Sequence, residues 1–141
     1  MEDNNFTTVS FTSAGYIELS YNLILSIRKN NLPLKLKLYC LDRESFEFFN
    51  KVHENTIFLE NEDNFSNDLM KQSDSNFGEL MLKKFFIIHK NLSESNNVLY
   101  VDGDIVLRKD FIKYFQSLLS NNDIIFQNDK RPSKPNQINV C

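Results

Sequence analysis

Short apolar runs alternate along this chain with longer stretches in which apolar residues recur at helical spacing. That alternation restricts the fold to a mostly parallel sheet flanked by helices, because strands joined by helices re-enter a sheet in the same direction. The first run, Phe6–Thr12, is rich in β-branched and aromatic residues and reads as a strand. Ser13 then caps a helix with Tyr16, Leu19, Leu23, Ile24 and Ile27 on its apolar face, ending near Asn30 and Asn31 before Pro33. Residues 35–41 alternate Lys with Leu and Tyr as a second strand. Asp42 caps the next helix, which carries Phe46, Phe49 and Val52. A short third strand covers 56–59.

The later half repeats the pattern. Residues 60–76, crowded with Asn, Asp, Ser and Glu, read as a long loop. The spacing predicts a helix over Phe77–Leu92, with Phe77, Met81, Phe85, Ile88 and Leu92 inward and Lys83, Lys84 and Lys90 off that face. Residues 98–101 form an apolar strand of the kind buried on both faces. Asp110 caps a helix lined by Phe111, Tyr114, Phe115, Leu118 and Leu119. Residues 123–127 read as a strand, 130–137 as a loop and 138–141 as the start of another strand.

Composition narrows the function classes. At 141 residues the whole chain, 1–141, is the size of one domain. Its 16 Lys and Arg against 19 Asp and Glu give a net charge of -3, which argues against a general nucleic-acid binder. No long apolar window marks a membrane span, and the acidic, polar start lacks the form of a secretory leader, so the expected compartment is the cytoplasm. Cys40 and Cys141 have no metal-like spacing and read as reduced, structural thiols. His53 and His89 stand far apart and form no ligand pair.

The chemistry-bearing constellation is Asp102-Gly103-Asp104, directly after the apolar 98–101 run. Residues two apart on an extended segment point the same way, so both carboxylates can share one side of the chain. Carboxylates that close repel unless a cation lies between them, and a hard ion such as Mg²⁺ or Mn²⁺ takes one or two carboxylates plus substrate phosphates. Gly103 leaves the backbone free to bend and lets a ligand approach. A second reading fits the spacing equally well: Asp-Gly between two apolar runs, 98–101 and 105–107, is an ordinary hairpin turn. A metal-assisted hydrolase is a third, weaker option, because few further carboxylates lie near the pair for a second metal.

The wider context decides among these. The run from Asn97 through Tyr100, Asp102, Gly103, Asp104 and Arg108 to Phe111, followed by Tyr114-Phe115 and Asp123 to Asp129, resembles the nucleotide-diphospho-sugar transferase family (glycosyltransferase family 77), with a fainter likeness to family 8. Thr12-Ser13, Gly15-Tyr16, Asn22, Ser26 and the strand leading to Asp42 fit the same order of segments. The resemblance implies a GT-A fold, a Rossmann-like sheet binding a nucleotide sugar at an Asp-x-Asp (DXD) motif. It implies Asp104 as the principal metal ligand, with Asp102 on the ribose or the metal, and Mn²⁺ or Mg²⁺ as the ion. Thr12, Ser13 and Asp42 match positions that face the nucleoside, and Lys83 or Lys84 approaches the diphosphate or an aspartate. The implied reaction moves a hexosyl or pentosyl group from a nucleotide sugar, UDP-sugar first, to a hydroxyl acceptor on a glycan, protein or small molecule, with retention of configuration. No catalytic residue is singled out. The family pattern continues beyond the strand near Ile138 into a part that shapes the acceptor site, so the resemblance implies an incomplete domain. The competing class is a non-catalytic nucleotide-binding or protein-interaction α/β module.

Overall fold

The computed structural model of the protein describes residues 6–59 and 77–126. The chain divides into two compact units, residues 1–108 and 109–141. The first holds the sheet. Its elements follow in the order β1 (Phe6–Thr12), a 3-10 turn (Ala14–Tyr16), α1 (Ile17–Lys29), β2 (Leu36–Cys40), α2 (Arg43–Val52), β3 (Thr56–Phe58), α3 (Phe77–Leu92) and β4 (Asn97–Tyr100). In the second unit α4 spans Ile112–Leu119.

All four strands run parallel, in the order β3-β2-β1-β4. The expected α/β architecture is therefore present. The chain steps from β1 outward to β2 and β3, then crosses back to the other side of β1 as β4. This reversal puts the helices on opposite faces, because parallel crossovers keep one hand. Along β1, Val9 and Phe11 point to one face, where Val9, Tyr39 and Ile87 form a core with Val98 and Tyr100 packed against it. Thr8, Ser10 and Thr12 point to the other face, where Ser20 of α1 meets Thr12 and Phe46 of α2 stacks on Phe58. Leu23, Leu38 and Phe49 are fully buried, each contributing about 1.5–3 kcal/mol by leaving water.

Local signals placed most boundaries. Asp42 caps α2 by accepting from the Ser45 amide at 2.8 Å. Asn31, at φ 48°, turns the chain after α1, a left-handed conformation that Asn tolerates better than most residues. Asp110 accepts from the Ile112 amide at 3.0 Å at the start of α4.

Several expectations need correction. Ser13 makes no side-chain cap; it precedes the 3-10 turn, and α1 begins only at Ile17. Leu19 is exposed, while Ser20 and Ser26 lie on the buried face of α1. In α3 the inward residues are Leu80, Lys84, Ile87 and Asn91, one position before the expected set, and Phe85 and Leu92 are exposed. This helix is apolar around much of its circumference, so periodicity alone could not set its phase. Polar partners set it instead: Asn91 donates to the Tyr39 hydroxyl at 2.9 Å and accepts from Lys37 at 3.1 Å. Among the described residues β4 has β1 as its one neighbouring strand, and its residues are half-buried rather than buried on both faces. Residues 105–107 form no returning strand, so the hairpin is not realised; Leu107 instead donates to Ser26 Oγ at 3.0 Å and accepts from Asn30 at 2.9 Å. In α4, Ile112 is buried and Tyr114 exposed. Residues 123–126 carry no strand, and Ile124 and Phe126 are exposed: apolar residues make a strand only where a neighbouring ladder takes up their backbone groups. The expected loops 60–76 and 130–137, the strand 138–141 and Cys141 lie outside the described residues.

Candidate functional site

In an open parallel sheet, ligands bind beyond the carboxyl ends of the strands where the strand order reverses, because the two connecting loops there diverge to opposite faces and leave a crevice. Here the reversal falls between β1 and β4. Thr12 ends one strand and Ser13 follows it; Asp102, Gly103 and Asp104 follow the other.

Asp102 Oδ1 lies 3.2 Å from the Lys84 ammonium. That lysine side chain is 8% exposed, and its charge also sits 4.3 Å over the Tyr100 ring. A buried ammonium is costly unless paired, so the pair fixes both the phase of α3 and the setting of Asp102. Of the two lysines expected near this site, Lys84 makes the carboxylate contact; Lys83 is half-buried one position earlier. Asp102 itself remains 39% exposed, and Asp104 is exposed. Burial, the Asp102 charge and hydrogen bond, and the Asp104 charge all push the Tyr100 hydroxyl well above its ordinary pKa. Both carboxylates follow β4 within three residues, Asp102 tied to Lys84 and Asp104 exposed. Such a pair suits a hard cation that completes its shell with phosphate oxygens. Among the described residues, no group of three or more His, Cys, Asp or Glu is arranged to hold a metal.

Gly103 is required here for steric reasons. A Cβ on it would stand 2.7 Å from Ser20 Oγ and 3.1 Å from the Phe11 carbonyl oxygen. Its close neighbour is thus the chain's own α1 and β1.

The remaining expected residues are committed largely to the protein. Thr12 is buried, and its hydroxyl accepts from Ser20 Oγ at 2.9 Å. Ser13 is buried and its carbonyl receives the Tyr16 amide at 2.9 Å. Asp42 accepts from Ala14 N at 2.7 Å through one oxygen and from Ser45 N through the other, tying the loop after β1 to the start of α2. Beside it, burial pushes the Cys40 thiol up to about 12, with a Ser45 hydrogen bond opposing and the Asp42 charge adding. Cys40 is therefore an inert core thiol. Sequence reasoning missed Ser20 and Tyr100. A lone Ser on an apolar helix face and a Tyr within an apolar strand carry no signal of their own.

A sequence model of the nucleotide-diphospho-sugar transferase family matches residues 35–140. The chain belongs to that family. The sugar-transferase matched span takes in Asp42, Lys84 and the Asp102-Gly103-Asp104 triplet, and it does not distinguish family 77 from family 8. No curated protein and no solved structure matches the chain. No helix among the described residues of this transferase chain is long and apolar enough to cross a membrane.

A cleft of about 890 Å³ opens elsewhere, at the amino ends of β2 and β3, lined by Arg28, Leu36, Lys51 and His53 among others. It is a poorer candidate despite its size. The Arg28 guanidinium donates to the Val52 carbonyl and the His53 ring bonds the Leu36 carbonyl at 2.8 Å, so these two groups are spent joining elements.

Proposed function

We propose that this chain carries the donor site of a metal-dependent glycosyltransferase, in which Asp102 and Asp104 hold Mn²⁺ or Mg²⁺ together with the diphosphate of a UDP-sugar. The observation that carries the reading is the Asp-x-Asp triplet standing at the β1/β4 reversal of a parallel sheet, in a chain of the nucleotide-diphospho-sugar transferase family. A bound divalent ion supplies charge neutralisation for the diphosphate that leaves when the anomeric bond breaks. The protein's own part is to hold the carboxylates in place beforehand, since preorganised charge need not be reoriented during reaction. Lys84 does this for Asp102. Asp42, by holding Ala14 against α2, keeps the loop after β1 open to the nucleoside. The acceptor is a hydroxyl group, and the group transferred is a hexosyl or pentosyl unit.

Calorimetric titration of UDP into the protein with and without Mn²⁺ tests this. The expected result is binding that requires Mn²⁺ and falls by about a hundredfold or more in Asp102→Asn with Asp104→Asn, both still folded by circular dichroism. Asn keeps the shape and a hydrogen-bond acceptor beside Lys84, so the loss reports charge. Metal-independent binding would sink the metal-site reading and leave a nucleotide-binding module, and no binding by the wild type would leave a protein-interaction module as the better account.

A further inference from the structure

We infer that Ser20 is a positioning residue that sets how deeply the Asp102-Gly103-Asp104 loop seats, and so how its two carboxylates are presented. The inference rests on the metal-site reading above. Ser20 is wholly buried in the first turns of α1, and its hydroxyl donates to Thr12 Oγ1 at 2.9 Å, at the last residue of β1. The bond to Thr12 selects one side-chain rotamer for Ser20, because each staggered alternative would carry Oγ away from its acceptor. Oγ thereby becomes a fixed stop. Gly103 lies against that stop, in a notch whose other wall is the Phe11 carbonyl. Any side chain on Gly103 must displace one wall or lift the loop, and the residues lifted with it are Asp102 and Asp104.

One hydroxyl therefore joins three parts of the site: the end of β1, the start of α1 and the acidic loop after β4. A smaller residue at position 20 deepens the notch, and a methyl on Gly103 overfills it. The two changes should compensate each other, because the Gly103 Cβ would occupy the space that Ser20 Oγ vacates.

The test is a double-mutant cycle of Gly103→Ala and Ser20→Ala, read by thermal unfolding and, separately, by Mn²⁺ binding followed through loss of the free-ion electron paramagnetic resonance signal. Gly103→Ala alone should lower the unfolding temperature by several degrees and weaken Mn²⁺ binding on the order of tenfold. Ser20→Ala alone should weaken Mn²⁺ binding by about threefold. The double variant should recover a large part of both losses caused by Gly103→Ala. Additive losses in the double variant would overturn the inference, since Ser20 would then not be what Gly103 rests on. If Gly103→Ala fails to fold, a folded double variant supports the inference and an unfolded one refutes it. If the wild type binds no Mn²⁺, the metal-site reading itself has failed and the positioning role falls with it. The unfolding cycle would still report whether the two residues pack as described.

Discussion

The two ends of the sheet differ in what their polar groups do. At the amino ends of β2 and β3, a cleft is edged by Arg28, Lys35, Lys51, His53 and Glu54, and Arg28 and His53 are bonded to backbone carbonyls. At the carboxyl ends, the Asp102 carboxylate is paired with Lys84 but remains partly open to solvent, and Asp104 is exposed. A cavity of about 890 Å³ would by itself direct a ligand to the first end. The proposed function puts the donor at the second, where the strand order reverses. At the carboxyl end Asp102 stays partly accessible while Lys84 fixes it from behind; at the amino end Arg28 and His53 are bonded to backbone.

Three variants sharpen that contrast. Lys84→Met removes the charge behind Asp102 while keeping much of the side-chain volume. It should cost about 2 kcal/mol of stability and weaken Mn²⁺-dependent UDP binding, measured by chemical denaturation and calorimetry. Asp42→Ala removes one helix cap and the tie to Ala14, and should cost about 1 kcal/mol in the same denaturation experiment. At the other end, Lys35→Ala with Lys51→Ala should change stability by less than about 0.5 kcal/mol and leave UDP binding unaltered. Loss of UDP binding in that last variant would reverse the assignment of the two ends.

The fold was legible because local rules and global topology agree here. Phe6–Thr12 and Phe77–Leu92 have the boundaries read from their residues, and Asp42 caps α2 as its position before Arg43 suggested. The phase of α3 was not legible, since its apolar residues nearly encircle it and the deciding interactions come from Asp102, Tyr39 and Lys37 on other elements. The strand expected at 123–127 shows the opposite failure: Ile124 and Phe126 have strand character but no ladder in the described structure.

The sequence by itself determined a parallel α/β sheet, the order of its elements and the Asp-x-Asp triplet as the place to look. Short-range physics suffices for these, because side-chain period, capping and β-branching act within a few residues. Tertiary structure alone decided which lysine meets Asp102, that Thr12 turns inward to Ser20, and that Gly103 lies close against Ser20 of α1 and the Phe11 carbonyl. Those facts depend on contacts between residues far apart in the chain, and such contacts are set by how helices pack on a twisted sheet rather than by any local preference.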